Sequence, residues 1–406
     1  MRVGAPDYAA PEDAPAERTS PRDLLRRFLQ GDLASLRVIL AIAVIWIIFQ
    51  SQNDRFLSAT NLTNLFLQIT AVGLISVGVV LVLLIGEIDL SVGAASGFAA
   101  AVMAVLNVKH GWPAIPAVAA GVATGALIGL AQGVLFTRFT IPSFVVTLAG
   151  SLVWQGALLK VLGETGTVNL SNSGITDLAN TFYGDAVGWI FAAAVIAIYA
   201  AVILAGHRRR ARAGVTTEPI ALLLIRIGVM AAVTIVAVAI LNSDRGLPLA
   251  LIILFGFVIV FQLITTRTIF GRHLFAVGGS AEAARRAGIG VTKIRVIAFT
   301  LCSSMAAVGG ILAASRLLAV NQSSGGSNLL LEAIAGPVVA GTSLFGGRGS
   351  VWSALLGATV IGSIANGMNL LALESSVKLM ITGGVLLAAV IVDAVARSKR
   401  RQEGRV

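Results

Sequence analysis

The residues most able to do chemistry are two carboxylates, Glu87 and Asp89, which stand between two long apolar runs. Acidic groups inside membrane-spanning segments are rare and normally functional. In one interpretation they lie at a broken helix beside a solute pathway and accept hydrogen bonds from backbone N–H groups. In the other, Asp89 and Ser91 cap the helix that begins near Val92, at the boundary with cytoplasmic water. The Asp-Leu-Ser-Val-Gly sequence suits such a cap, so we favour a cap or hinge over direct solute contact.

Other polar side chains also lie inside apolar runs. A neutral amide or an indole gives hydrogen bonds without a fixed charge, and an indole adds a flat apolar face, which together suit a sugar pathway. For any single residue a bond between helices, each contributing about 0.6 kcal/mol, is the simpler interpretation. For the whole set we expect some to face a cavity. These candidates are Gln68, Thr147, Trp154, Gln155, Asn366 and Asn369.

Residues 270–289 are too polar to span a membrane and too regular for a flexible linker. The signals of one short capped helix are Ser280 as N-cap, Glu282 in the first turn, Arg285 and Arg286 near the end, and Gly288 as a stop. A two-turn helix is unstable alone, so it must pack on something. We expect another protein at the cytoplasmic face. Anionic lipid would require a broader apolar stripe and more lysine.

The elements that position these residues are membrane helices, because 57% of the 406 residues are hydrophobic and only 12% are charged. A soluble domain carries about a quarter of its residues as charged side chains. The net charge of +11 comes from Lys and Arg at the ends of apolar runs, which indicates membrane topology and not nucleic-acid binding. The single cysteine and three scattered histidines exclude a disulfide framework and predict no metal site.

The predicted fold is an all-α, polytopic transmembrane bundle of glycine-broken helices. We count twelve spans, and ten remains an alternative because two runs are short and broken by glycine. The spans lie near 37–50, 67–86, 91–107, 113–136, 141–162, 187–205, 219–241, 248–266, 294–319, 330–345, 350–370 and 377–396.

The charge distribution predicts that both ends lie in the cytoplasm, because Lys and Arg collect on alternate loops while 163–186 carries only acidic charges. Residues 1–36 are proline-rich and predict a disordered tail. The transmembrane domain then covers 37–396, with a cytoplasmic loop at 267–293, and 397–406 form a basic tail.

A weak internal repeat supports transport. Residues 86–93 and 341–350 each place glycine and polar residues between apolar runs. Breaks of this kind in corresponding halves indicate a transporter's solute path. No glycine precedes a lysine, so the chain has no phosphate-binding P-loop, and any ATP must be hydrolysed by a separate chain. An ion-coupled secondary transporter of a small polar solute is the alternative, and a membrane enzyme lacks the required cluster of carboxylates or histidines.

Four stretches in order resemble permease subunits of bacterial ABC monosaccharide importers, the ribose, arabinose, galactoside and xylose type. They are 86–93, which resembles the G-x-I-D-L-S-V-G hallmark, 129–148, 271–289 and 341–350. An extra apolar stretch before 267 and the sequence at 366–370 are most similar to the xylose branch. The chain departs from common family residues at Glu87, Ser280 and Ala287, where Gly, Asn and Ser are frequent.

The resemblance implies a subunit of an importer in the bacterial inner membrane that moves a monosaccharide, such as xylose or a similar pentose, inward by alternating access. Two permease subunits, expected to be identical, would sit on an ATPase and receive sugar from a periplasmic binding protein. ATP and magnesium would bind the ATPase, with no cofactor in this chain. The residues that match the family's coupling loop are Gly271, Arg272, Gly278, Gly279, Ser280, Glu282, Ala283, Arg285, Arg286 and Gly288.

Overall fold

The computed structural model describes residues 33–171, 173–214 and 219–402. Most of the predicted disordered tail lies outside these ranges, and its last four residues begin the first helix. The helices are α1 Leu33–Gln52, α2 Ala59–Leu84, α3 Val92–Val108, α4 Ala114–Phe139, α5 Ser143–Leu162, α6 Ser173–Asn180, α7 Asp185–Arg212, α8 Ile220–Asn242, α9 Leu249–Arg267, α10 Ile269–Gly279, α11 Ala281–Arg286, α12 Val291–Leu317, α13 Ser327–Val339, α14 Trp352–Leu370 and α15 Ser375–Gln402.

Seven of these helices are long and apolar enough to cross a membrane within the described ranges: α2, α4, α5, α7, α8, α9 and α12. Shorter apolar helical segments lie at Val38–Gln52, Val92–Val108, Asn328–Val339 and Ser375–Ala388. This confirms the predicted polytopic helical bundle. Each of the twelve predicted spans overlaps a helix, although α2 begins well before residue 67.

The predicted span at 330–345 is wrong in its second half. Helix α13 contains Pro337 and ends at Val339, and residues 340–351 form an irregular segment before α14. Part of this segment is buried, because Thr342 is 1% exposed and Val351 is fully enclosed. The sequence pattern did not separate the helix from this segment because Leu344 and Phe345 continue the apolar run beyond Gly341.

Helix α12 lies at the centre of the bundle and packs against α2, α3 and α4. Glycines permit this close packing. A side chain at Gly129 of α4 would clash with the carbonyl of Phe299, and one at Gly78 of α2 would come within 2.6 Å of the carbonyl of Cys302. Small residues at helix interfaces let backbones approach in this way.

Two short antiparallel ladders connect the loops at one end of the bundle. The first pairs β1 Thr167–Asn169 with β4 Ala319–Asn321, and the second pairs β2 Phe182–Tyr183 with β3 Leu247–Pro248. The second ladder tethers the peripheral α7–α8 hairpin, which is the extra apolar stretch noted in the sequence. Two helix breaks lie at the other end of the bundle: the first is residues 85–91, between α2 and α3, and the second is residues 340–351, between α13 and α14. Helix α11 lies at the same end, since the segments that precede α3, α11 and α14 contact one another there.

Candidate functional site

Helix α11 forms at the residues where the sequence predicts a short capped helix. The hydroxyl of Ser280 accepts a hydrogen bond of 3.2 Å from the amide of Ala283, which caps the helix. Glu282 in the first turn bonds to Arg286 at 3.1 Å, one turn further on. Gly288 follows with a φ of +81°, a left-handed conformation that ends the helix. The predicted capped helix is therefore confirmed.

The charged side chains of α11 point into solvent. Glu282, Arg285 and Arg286 have side chains that are 65%, 69% and 80% exposed, whereas Ala284 is buried against the bundle. The helix is thus anchored by two small apolar residues, buried Ala284 and partly buried Ala281, and presents its charges outward. A surface of this kind is suited to contact with another protein.

Helix α10 carries the remaining residues of the predicted coupling loop to the bundle. Thr268 caps α10 by accepting a hydrogen bond of 3.2 Å from the amide of Gly271. Gly271 packs so closely on the end of α9 that a side chain there would clash with the carbonyl of Thr265. Arg272 is exposed. The tight turn between α9 and α10 fixes the direction in which α10 leads to α11.

Three glycine segments meet where α10 ends. The amide of Gly347 donates a hydrogen bond of 2.9 Å to the carbonyl of Leu84 at the end of α2. Gly278 lies against both groups, and a side chain there would clash with the Leu84 carbonyl and come within 2.6 Å of the Gly347 nitrogen. Gly346 packs in the same way against Gly86. The backbones of both predicted helix breaks therefore contact the segment that carries α11.

The first break separates α2 from α3 and holds Glu87. Its carboxylate uses both oxygens: Oε1 pairs with Arg295 of α12 at 2.9 Å, and Oε2 accepts a hydrogen bond of 2.6 Å from Ser143 at the start of α5. Arg295 also lies over the ring of Phe136 in α4, with 6.0 Å between the guanidinium carbon and the ring centroid. Glu87 thus connects the break to two other helices.

Asp89 and Ser91 are buried, at 3% and 0% exposure, so they do not lie at a water boundary. The Asp89 carboxylate accepts 2.8 Å and 2.6 Å hydrogen bonds from the amide and hydroxyl of Ser91. Ser91 occupies the N-cap position of α3 without a side-chain capping bond. The predicted side-chain cap is therefore wrong, because the carboxylate closes a local turn before the helix and does not reach its first-turn amides.

Gln132 of α4 joins this cluster and was missed as a site residue. Its side-chain amide lies 3.0 Å from the hydroxyl of Ser91. That hydroxyl has one proton, which goes to Asp89 at the shorter distance, so we infer that Gln132 bonds to Ser91 through its NH₂ group. In this orientation the Gln132 carbonyl borders Gly150, as does the indole N–H of Trp154, which has no hydrogen-bond partner among the described residues. Oδ2 of Asp89 has no partner among the described residues.

The three predicted pathway residues on α5 contact other segments of the chain. Trp154 stacks on Phe98 of α3, with 6.0 Å between ring centroids and 10° between the planes. Gln155 donates a 3.0 Å hydrogen bond to the carbonyl of Gln322 in the β4–α13 connection. Thr147, which lies two turns before Trp154 on the same helix, accepts a 3.1 Å hydrogen bond from the amide of Leu90. Helix α5 therefore starts beside the first break and then packs alongside α3.

The other three candidates do not lie at the break, and one of them, Asn369 of α14, is exposed and accepts a 2.7 Å hydrogen bond from Lys378. Asn366 of α14 exchanges hydrogen bonds of 2.8 Å and 3.1 Å with Asn61 of α2. Gln68 is partly exposed on α2, two turns further along that helix from Asn61. The structure thus assembles Glu87, Asp89, Ser91, Thr147 and Trp154 around one break and separates Asn366 and Gln68 from them.

Arg295 and Ser143 were also missed. Arg295 stands at the start of a predicted span, where an arginine usually marks the membrane boundary, and Ser143 follows a proline at a helix start. Neither position signals a partner in sequence. No group of three or more potential ligand side chains lies close enough to hold a metal ion in the part of the chain that the structure describes.

Comparison with known proteins gives consistent matches over most of the chain. Residues 61–390 match the family described as branched-chain amino acid transport system / permease component. The chain is 34% identical over 365 residues to the xylose transport system permease protein XylH of Haemophilus influenzae, covering 89% of this chain and 96% of the relative. It is 33% identical over 366 residues to XylH of Escherichia coli K12, covering 90% and 92%.

A ribose permease is more distant. The ribose import permease protein RbsC of Escherichia coli K12 is 29% identical over 369 residues, covering 91% of this chain and 96% of the relative. No solved structure matches the chain.

The bundle, its helix breaks and these matches define a multi-pass membrane transport permease. The chain belongs to the family of branched-chain amino acid transport system permease components. Its relatives are named as xylose and ribose permeases, which confirms the resemblance to sugar-importer permeases and the prediction of a transport subunit. Nothing in the matches supports the ion-coupled alternative.

Proposed function

We propose that this chain is the membrane-spanning permease subunit of an ATP-driven importer that moves a pentose, with xylose as the first substrate to test. The sugar assignment rests on relatives named for xylose and ribose at 29–34% identity over about nine-tenths of the chain. The family description names amino acids, but an amino-acid importer would need groups for both an ammonium and a carboxylate. The polar groups beside Trp154 suit hydroxyls better.

The observation that carries the mechanism is the glycine junction between α11 and the two helix breaks. Gly278 contacts both Leu84 and Gly347, so a displacement of α11 moves backbone that is already in contact with both breaks. Packed contacts of this kind shift as a unit and do not deform gradually. Closure of an ATPase beneath α11 would therefore switch the bundle between inward-open and outward-open states.

The partners follow from this mechanism. An ATPase subunit would dock on the exposed charges of α11 and would hold the ATP and magnesium, with no cofactor in this chain. A second permease subunit, most simply another copy, would complete the path, and a periplasmic binding protein would deliver the sugar. These assignments place the protein in a bacterial inner membrane with both ends in the cytoplasm, as the Lys and Arg distribution favours.

The test is reconstitution with the cognate ATPase and binding protein in proteoliposomes that contain ATP. Labelled xylose should accumulate only when ATP and the binding protein are both present, and excess ribose or a branched-chain amino acid should compete weakly. The chain alone should hydrolyse no ATP. Uptake by the chain alone on a proton or sodium gradient would contradict the proposal, and ATP-driven uptake of an amino acid would change the substrate.

A further inference from the structure

The ion pair between Glu87 and Arg295 joins three parts of the bundle at the end where α11 lies. Glu87 belongs to the first helix break, Arg295 to the second turn of α12, and Ser143 is the first residue of α5. All three side chains are largely removed from solvent, since the Glu87 and Arg295 side chains are 16% and 28% exposed and Ser143 is 5% exposed. An ion pair in such a place is much less screened than one on the surface.

The position of Arg295 connects this pair to α11. Helix α12 begins at Val291, only a few residues after α11 ends at Arg286. Backbone hydrogen bonds hold this connection in place: the amide of Ile289 bonds to the carbonyl of Ala284, and the amide of Val291 bonds to the carbonyl of Ile289. A movement of α11 must therefore reach the end of α12, and with it Arg295.

The position of Glu87 connects the pair to the buried cluster. Asp89 lies two residues after Glu87 and accepts a hydrogen bond from Ser91. Leu90 bonds to Thr147, and Ser91 bonds to Gln132. The ion pair thus lies between the surface helix α11 and the buried polar cluster of Asp89, Ser91 and Gln132. The glycine junction contacts the same break, but it consists of backbone packing and carries no charge.

We propose that Glu87 and Arg295 are positioning residues for transport: their ion pair makes the first helix break follow the movement of α12, so that ATP hydrolysis and sugar movement stay coupled. The inference rests on the proposed function. The geometry favours this role over a purely structural one because Nε of Arg295 is buried without a partner among the described residues. A pair selected only for stability would be expected to satisfy that donor.

The experiment uses the full complex in proteoliposomes and measures sugar uptake and ATP hydrolysis in the same sample. Glu87→Gln and Arg295→Gln should each lower the sugar moved per ATP hydrolysed by about fivefold or more, the lower range of measured coupling effects. The exchange Glu87→Arg with Arg295→Glu should recover at least half of that ratio. Arg138→Gln, an exposed arginine on α4 at the same end of the bundle, serves as the control and should leave the ratio unchanged.

The ratio separates this role from simple destabilisation. Loss of folded complex lowers uptake and hydrolysis together and leaves the ratio at the wild-type value, which would overturn the proposal. A normal ratio in both single variants, or an exchange variant no better than either, would overturn it as well. Failure of the proposed function is distinguishable, because the wild-type complex would then show no ATP-dependent uptake at all.

Discussion

The amide of Gly347 donates a 2.9 Å hydrogen bond to the carbonyl of Leu84, which ties the second helix break to the end of the helix before the first. The two segments carry the weak internal repeat of the sequence, and the bond shows that they are neighbours in space. Gly278 completes the contact from the side of α11. One backbone junction therefore joins the surface helix to both breaks, and the first prediction below tests it.

Gly278→Ala tests the junction directly. Its methyl group would clash with the Leu84 carbonyl and come within 2.6 Å of the Gly347 nitrogen. Backbone cannot yield as a flexible side chain would, so we expect a loss of about 1–3 kcal/mol in the free energy of unfolding. The measurement is unfolding of the purified protein in detergent by denaturant. Gly279→Ala is the matched control, because nothing lies within 4 Å of its added methyl group. Equal stability of the two variants would show that the junction is loosely packed.

Asn366→Leu tests whether this predicted pathway residue is structural. The substitution removes two hydrogen bonds with Asn61 and leaves part of that amide unpaired, so we expect a loss of about 1–3 kcal/mol in stability. Uptake per folded complex should stay at the wild-type level. Asn369→Leu, one turn away and exposed, loses only its bond with Lys378 and should change stability little. Lost uptake with unchanged stability would instead place Asn366 in contact with the solute.

Local signals were enough to predict α11. Its cap, first-turn acid and glycine stop lie within nine residues, and each acts through the backbone next to it. The rough positions of the membrane helices were predictable for a similar reason, since lipid requires long apolar runs. Both features depend on residues that are close in sequence. The predicted count of twelve spans is not confirmed, because seven helices in the described ranges are long and apolar enough to cross a membrane.

The contacts of the site could not be predicted in this way. Glu87 finds Arg295 and Ser143 only because α12 and α5 pack beside the break, and nothing near Glu87 in sequence specifies these partners. The sequence indicated a helix cap at Asp89, because Asp followed by Ser commonly precedes a helix. In the structure Asp89 is buried, and its carboxylate forms a local turn with Ser91 instead. Tertiary packing, which a single sequence does not reveal, decided between the interpretations.

In the orientation inferred above, we expect the Gln132 carbonyl to accept a hydrogen bond from the indole N–H of Trp154, and this predicts coupling between two substitutions. Gln132→Met keeps the side-chain length but removes the partner of the indole N–H, and Trp154→Phe removes that N–H while retaining an aromatic ring against Phe98. Each alone should cost about 1–3 kcal/mol of stability. Together they should cost clearly less than the sum, because the second change removes a group that the first has already left unpaired.

The measurement is a double-mutant cycle on unfolding free energies of the purified protein. Gln132→Glu adds a comparison, since it places a second carboxylate beside buried Asp89 and should destabilise more than Gln132→Met. Strictly additive costs for Gln132→Met and Trp154→Phe would show that the amide and the indole do not bond. The Gln132 orientation inferred above would then be wrong.

Reversing both arginines of α11, Arg285→Glu with Arg286→Glu, tests the docking surface. The two side chains are 69% and 80% exposed, so the change alters the face presented to a partner and leaves the buried contact of Ala284 in place. We expect co-purification of the ATPase and coupled uptake to fall about tenfold or more, because loss and reversal of charge at an interface leave unpaired or repelling groups. Membrane insertion should be unchanged.

Arg209→Glu with Arg210→Glu, the same charge change at the exposed end of α7, is the control and should retain the ATPase. If the α11 variant keeps normal co-purification and uptake while the control behaves as expected, α11 is not the docking helix.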